Sequence, residues 1–348
     1  MRKYFVLLAI VAQVSVLAYM AIKHEVILAT GDPIYLRTAP IDPRDPFRGD
    51  FVRLSYPFNT VYAKRTRGTV KDHVGDKGYQ VYAVMKPTEN DLYTLDYLTD
   101  QRPTEPLYIK GRITNRHWSR GQGAANVKYG VEQLYVEQGS GREIERTRGT
   151  RSGIQIPMEV QVAIGDDGTA VLRDYRWSKL AIQLEILRFN RQNRRNNSSD
   201  QNPAPVELSP KLRITLKNVS DSALVISDPD DHCGFKLVPV AWASKTYAPL
   251  DTSCEQIASS SRSTMTLVPQ QAYQAELDLS KPRWHMRIKN KDDITSEGEI
   301  GMDNNSDMFR IIYQSPRPEQ LPSSASTSQA IWQGQLPSRA FNARGRID

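Results

Sequence analysis

Hydrophobic and polar positions follow two different rules along this chain. From Tyr4 to Ile22 apolar residues run almost without interruption, YFVLLAIVAQVSVLAYMAI, with Gln13 and Ser15 the only clearly polar members. Those 19 residues would span ~28 Å as a helix at ~1.5 Å each, about the hydrocarbon thickness of a bilayer. A buried core helix would carry a polar stripe, and this run has none. Arg2 and Lys3 precede it and a single Lys23 follows. The positive-inside bias then predicts a cytoplasmic N-terminus, with everything after His24 on the other side. Val16-Leu17-Ala18 has the small-residue ending of a cleavage site, so a removed signal is the alternative to an anchor. The run is longer than the apolar centre of a signal. Gln13 either bonds to a neighbouring helix or is a tolerated amide.

Beyond the run, alternation takes over. Ile34, Leu36 and Thr38 alternate with Tyr35 and Arg37 as a short strand, and Pro33, Pro40, Pro43 and Pro46 exclude helix around it. Gly49-Asp50 is read as a turn launching Phe51–Tyr56, with Val52, Leu54 and Tyr56 on one face and Phe51, Arg53 and Ser55 on the other. Further strands are predicted at Tyr79–Met85, at Leu107–Ile113 with a bulge or kink at Gly111, at Val131–Val136 and at Met158–Ile164. Asp166-Asp167-Gly168 then turns the chain into Ala170-Val171-Leu172, a hairpin signal. Short strands spaced by turns predict a small barrel-like domain over residues 25–175.

The rest, 176–348, reads as a second β domain. Leu180, Ile182, Leu184 and Ile186 alternate strictly and match Leu212–Leu216 in pattern. Between them Asn190 to Pro205 is rich in Arg, Asn, Ser and Gln and reads as a long loop. A turn at Lys217–Asp221, strands at Ala223–Ile226, Gln270–Leu279 and Met308–Tyr313, and a last strand pair from Ile331-Trp332 and Ser338–Phe341 suggest an immunoglobulin-like sandwich. That likeness is one of fold alone. Pro316 to Ala330 is a Pro/Ser-rich loop. The fold class is therefore mainly β: an anchor over 1–24, a barrel-like domain and a sandwich.

Composition changes this picture little. The 348 residues are 39% hydrophobic and 24% charged, ordinary for globular protein. The net charge of +7 comes without a dense Lys/Arg block interleaved with aromatics, which argues against a dedicated nucleic-acid binder. It suits solubility or an anionic envelope surface. The two cysteines, Cys233 and Cys254, are expected to form one disulfide in the oxidising space that an exported topology implies. A zinc site would need more ligands than the neighbouring His232 supplies. No H-E-x-x-H, G-x-S-x-G, phosphate-loop or dinucleotide pattern occurs. No cofactor or metal is expected.

The stretch GDFVRLSY, preceded by Pro-Ile-Asp-Pro-Arg-Asp and an apolar span, closely resembles the GDYxxLxY family of bacterial membrane-anchored proteins. Gly49, Asp50, Leu54 and Tyr56 match the pattern, and Phe51 stands where its first tyrosine would be. A second block, Tyr129-Gly130-Val131-Glu132-Gln133-Leu134-Tyr135-Val136 followed by Gly139-Ser140-Gly141 and Glu145, is also similar to the family. The resemblance covers about residues 1 to 175 and implies architecture and place rather than chemistry. It adds the expectation that the protein works beside a polytopic inner-membrane protein. With the predicted topology, the chain is expected to be a non-enzymatic, single-pass inner-membrane protein with its bulk in the periplasm, binding a membrane partner or an envelope component. Arg48, Gly49, Asp50, Phe51, Leu54, Tyr56, Tyr129, Gly130 and Glu132 are the candidate motif or partner-binding residues. The alternative is a membrane-anchored hydrolase using Asp50 as acid/base with Asp42, Asp45 or Arg48 nearby. An Asp after Gly at a turn more commonly holds the loop through its own backbone bonds.

Overall fold

A computed structural model describes residues 2–38, 51–62, 65–88, 91–114, 124–137, 140–149, 153–187, 210–227, 230–240, 246–255, 263–289, 295–300, 307–315, 331–332, 334–343 and 345–347. The chain is mainly β, with one long apolar helix at its N-terminal end. It divides into two units, Met1–Glu143 with Met158–Trp177, and Ile144–Pro157 with Ser178–Asp348.

In the first unit helix α1 spans Arg2–Thr30. It is longer than the apolar run because no Gly or Pro intervenes before Gly31 and because its last turns are packed. Ile27 is buried against Ala163 and Val171, and Lys23 Nζ lies 2.7 Å from Asp167 Oδ2. The helix closes with Gly31 N–H donating to the Ile27 carbonyl at 2.9 Å. A Cβ on Gly31 would sit 2.6 Å from that carbonyl oxygen, so the exit from the helix leaves no room for a side chain.

The strands that follow are β1 (Asp32–Arg37), β2 (Phe51–Arg53), β3 (Thr60–Tyr62), β4 (Gln80–Pro87), β5 (Leu92–Thr99), β6 (Tyr108–Ile113), β7 (Ala124–Lys128) and β8 (Gln133–Tyr135). A short helix α2 (Ser140–Arg148) comes next, then β9 (Met158–Ile164) and β10 (Ala170–Trp177). Eight of these strands form one sheet in the order β10-β9-β1-β5-β4-β6-β7-β3, while β2 pairs with β8. β1 lies antiparallel to β9 and parallel to β5. Alternation places Ile34 and Leu36 in the interior with Val160 and Val162. Across the same strands the buried Glu159 carboxylate is held by Arg37 at 2.6 Å and Arg176 at 2.8 Å. A buried charge needs such pairing.

One strand here was not read from the sequence, and one reading changes. Strand β5 carries no clean alternation, because the ladder passes from Val84↔Tyr97 to Met85↔Leu95 and leaves Asp96 as an extra residue. That bulge sets Leu95 and Leu98, both buried, three apart. Gly111, expected to mark a bulge, lies in regular register between Tyr82↔Lys110 and Gln80↔Arg112. Its absent side chain makes room: a Cβ there would lie 2.5 Å from Val127 Cγ1 and 2.9 Å from Tyr129 Cδ1.

The second unit contains β11 (Leu180–Leu187), β12 (Lys211–Asn218), β13 (Leu224–Ser227), β14 (Phe235–Pro239), β15 (Thr246–Pro249), β16 (Thr264–Leu267), β17 (Ala272–Asp278), β18 (Met286–Lys289), β19 (Thr295–Gly298), β20 (Phe309–Gln314) and β21 (Gln335–Pro337). They pair as β11-β12-β17, β13-β16, β14-β20-β21 and β15-β18-β19. The expected β11/β12 pairing is present over the full length, Leu180↔Asn218 to Leu187↔Lys211. One hydrophobic core including Leu184, Ile214, Phe235, Trp284, Phe309 and Tyr313 is shared among the sheets. The expected final pair of Ile331-Trp332 with Ser338–Phe341 is replaced by other partners. Ile331 bridges Val225, Phe341 bridges Phe309 and Ile347, and β21 pairs with β20. The loops predicted at Asn190 to Pro205 and Pro316 to Ala330 lie outside the described residues.

Asn218, fully buried at the predicted turn, shows how a polar core residue is tolerated. Its Nδ2 donates to the Ser222 and Leu267 carbonyls, both at 2.8 Å, and its Oδ1 accepts from Ser220 N–H and Oγ. Every side-chain site of the amide is used. Cys233 and Cys254 are disulfide-bonded, with Cα atoms 5.4 Å apart. Arg283 braces that loop by donating to the Asp231 and His232 carbonyls at 2.5 and 2.6 Å.

Candidate functional site

The two motif blocks, more than seventy residues apart in sequence, close on each other. β2 pairs antiparallel with β8, Phe51↔Tyr135 to Arg53↔Gln133, and Leu54 N–H extends the ladder to the Glu132 carbonyl at 2.8 Å. Val52, Leu54 and Tyr56 are each 2% exposed, so the face chosen by alternation is the buried one.

After Tyr56 the residues Pro57–Asn59 make a single short turn. Pro cannot donate to a ladder and favours such a turn. Asn59 secures it: its Oδ1 accepts from Tyr56 N–H at 2.6 Å. Its Nδ2 donates to the Val127 carbonyl at 2.9 Å and to Glu132 Oε1 at 3.3 Å. From the other block, Glu132 caps its own turn, accepting from Tyr129 N–H at 2.6 Å and Gly130 N–H at 3.0 Å. Gly130 has φ +86°, a conformation that suits glycine. Asn59 was not singled out by the sequence; the sign that was present is a turn-forming Asn two residues after Pro.

Two phenols complete the clasp. Tyr56 Oη donates to the Val131 carbonyl at 2.7 Å, and Tyr129 Oη donates to the Phe58 carbonyl at 2.9 Å. Phe58 lies between them, its ring centroid 5.3 Å from Tyr56 and 5.1 Å from Tyr129. Burial, and then the Glu132 carboxylate, push the ionisation of both tyrosines well above the usual phenol range. They therefore stay protonated at any physiological pH and act as hydrogen-bond donors.

Residues 13–174 match the family described as GDYXXLXY protein. Over that stretch the chain is similar to the GDYXXLXY family. The match begins inside α1, takes in both motif blocks and ends within β10, three residues before the first unit ends at Trp177. No curated protein and no solved structure matches the chain. In GDYXXLXY terms, the name-giving Leu54 and Tyr56 are interior struts. The substituted first tyrosine, Phe51, is half-buried at the outer side, with its ring 6.2 Å from that of Tyr135, which is 73% exposed. Arg48, Gly49 and Asp50, together with Asp42 and Asp45, lie outside the described residues, as does the side chain of Glu145.

Elsewhere in the first unit a polar cluster ties the turn at residues 69–76 to the end of β5. His73 Nδ1 lies 2.8 Å from Asp76 Oδ2 and its ring stacks on Tyr79 at 4.0 Å. Tyr79 Oη donates to Asp100 Oδ2 at 3.2 Å, and the Thr69 hydroxyl donates to the same oxygen. Burial would raise the Asp100 carboxyl, but the Thr69 and Tyr79 hydrogen bonds outweigh it and hold it below its ordinary value. Among the described residues no group of three His, Cys, Asp or Glu side chains is placed to hold a metal ion.

Proposed function

We propose that this is a non-catalytic, single-pass protein of the bacterial inner membrane, with its N-terminus cytoplasmic and both β units in the periplasm. In this reading the first unit presents a surface to a protein partner at the membrane, either a polytopic membrane protein or an envelope component. The observation that carries it is helix α1. It is long and apolar enough to cross a membrane, its apolar window is not buried in the protein, and it continues without a break into packing on β9 and β10. The Cys233–Cys254 disulfide supports an oxidising compartment. The described motif residues support a scaffold role: Leu54, Tyr56, Tyr129, Gly130 and Glu132 are all spent on holding the clasp.

Topology is tested by fusing, after Asp348, a phosphatase that is active only outside the cytoplasm. Activity in whole cells, with the chain retained in membranes after alkaline carbonate washing, is the expected result. Activity confined to a cytoplasmic reporter at the same position would overturn the topology. Crosslinking in native membranes then identifies the partner. A partner captured by the first unit with the motif clasp intact, and lost when the clasp is broken, is expected.

A further inference from the structure

We propose that Arg102, held at the β9–β10 turn, binds the phosphate of a membrane phospholipid. The inference rests on the anchored reading of α1 and adds to it a specific ligand chemistry.

Height along the helix comes first. The apolar run ends at Ile22, and Lys23 is the next residue. With the run filling the hydrocarbon layer, Lys23 lies at its edge, and the polar headgroup layer extends about 5–7 Å further. Lys23 Nζ is 2.7 Å from Asp167 Oδ2, so the turn between β9 and β10 stands at the same level. Ile27, one turn up the helix and about 6 Å higher, is packed on Ala163 of β9 and Val171 of β10. Two contacts one turn apart fix the hairpin against the helix, so the turn cannot stand away from the membrane while α1 spans it.

Arg102 is built into that turn. Its Nη2 donates to the Asp166 carbonyl at 3.1 Å and its Nε donates to Tyr108 Oη at 3.1 Å. Tyr108 Oη in turn donates to the Asp166 carbonyl at 3.0 Å. Gly168, with φ +77°, lets the turn close over the Tyr108 ring; a Cβ there would sit 2.5 Å from Tyr108 Cε2. The guanidinium is thus oriented by two neighbours, yet Arg102 is exposed and these bonds engage two of its five N–H groups. Lys23 pairs directly with Asp167, whereas Arg102 hydrogen-bonds only a carbonyl and a phenol among the described residues and meets the Asp167 charge, already bonded to Lys23, through space. A pre-oriented guanidinium with unspent donors suits a phosphodiester oxygen pair, which it engages in a bidentate fork.

The test uses the full chain. A fluorophore on Asp166→Cys, whose native disulfide leaves the new thiol the reactive one, is placed in phosphatidylglycerol vesicles. Strong quenching by headgroup nitroxide lipids and protection from iodide are expected; free access to iodide overturns the placement. Native mass spectrometry of the detergent-extracted protein then reads retained phosphatidylglycerol. Arg102→Gln is expected to lower that retention about fivefold or more, with Arg102→Lys in between and the melting temperature of both near wild type. Equal retention in Arg102→Gln overturns the assignment, and displacement of the lipid by millimolar inorganic phosphate reassigns the site to free phosphate and overturns the lipid. If Arg102→Gln melts early, the depth measurement on the protein with Arg102 intact decides alone. Extraction of the chain by alkaline carbonate ends the anchored reading itself, whereas a membrane-held chain with an iodide-accessible turn ends only the lipid site.

Discussion

Tyr56 donates its phenol hydrogen to the backbone carbonyl of Val131, 2.7 Å away and seventy-five residues along the chain. The last residue of one motif block is thereby bonded to the middle of the other, inside the protein and away from solvent. A tyrosine is required there for its reach as well as its ring. Phenylalanine would preserve the stacking on Phe58 but leave a buried carbonyl without its partner. Tyr56→Phe should destabilise the first unit by about 1–3 kcal/mol. Urea unfolding of the full chain in detergent measures it, and a change near zero would mean the hydroxyl carries no weight.

Glu132 is the hub on the other side of the clasp. Its carboxylate accepts from Tyr129 N–H, Gly130 N–H and Asn59 Nδ2. Glu132→Ala removes the acceptor of the Tyr129 and Gly130 N–H groups and leaves Asn59 Nδ2 with the Val127 carbonyl alone; it should cost about 1–3 kcal/mol, while Glu132→Gln, which keeps one acceptor oxygen, should cost less. Asn59→Ala combined with Glu132→Ala should lose less than the sum of the two single changes, since the pair shares a bond. Additive losses in thermal melts would show the two to be independent.

Much of the fold could be read directly because burial and alternation agree. Val52, Leu54 and Tyr56 were assigned to one face by period alone, and the β11/β12 ladder by matched runs. What escaped was decided by distant contacts. The end of α1 depends on Ile27 meeting Ala163 and Val171, which nothing near Ile27 in sequence records. Leu95 and Leu98 in β5 hide their strand because Asp96 bulges out of register. The motif residues were legible as a group, but their inward use was not, because a Tyr or Glu in a pattern looks the same whether it props a turn or faces a partner. Asn59 became visible only once Val127 and Glu132 were brought to it.

Gly111 offers a test of close packing. Gly111→Ala puts a methyl within 2.5–3.0 Å of Val127 and the Tyr129 ring. Overpacking of this kind costs about 1–3 kcal/mol. Adding Val127→Ala should return part of the loss by opening the same space. Equal melting temperatures for Gly111→Ala and wild type would show that Tyr129 moves aside freely.

The helix–hairpin contact should respond to acid. Burial alone would raise the Asp167 carboxyl, but hydrogen bonds from Lys23 and Thr169 outweigh it and bring its pKa down to about 2 from 3.8. A carboxyl depressed by folding stabilises above its unfolded value and loses that contribution as pH falls toward the folded value. The contact should therefore be intact at pH 5 and weaken between about pH 4 and pH 2. Both partners are more than two-fifths exposed, so solvent screening keeps the effect below about 1 kcal/mol. Amide protection at residues 165–169, taken relative to the intrinsic exchange rate at each pH, should be lower at the acid end in wild type and already low at neutral pH in Asp167→Asn. Unchanged exchange in Asp167→Asn would show that Ile27 packing alone holds the hairpin.

The disulfide closes a loop between residues 21 positions apart, and chain entropy alone assigns such a link about 3 kcal/mol. Removing it by Cys233→Ser with Cys254→Ser should lower the stability of the second unit by roughly that much. Its core, which contains neither sulfur, should persist, since Phe235, Tyr313 and Trp332 remain packed on one another. Arg283 still grips the Asp231 and His232 carbonyls without the bond, so the loop should loosen rather than leave. Calorimetry with and without reductant therefore ought to show the second unit's transition move while the first unit's transition stays fixed. Movement of both transitions together would mean that the two units unfold as one.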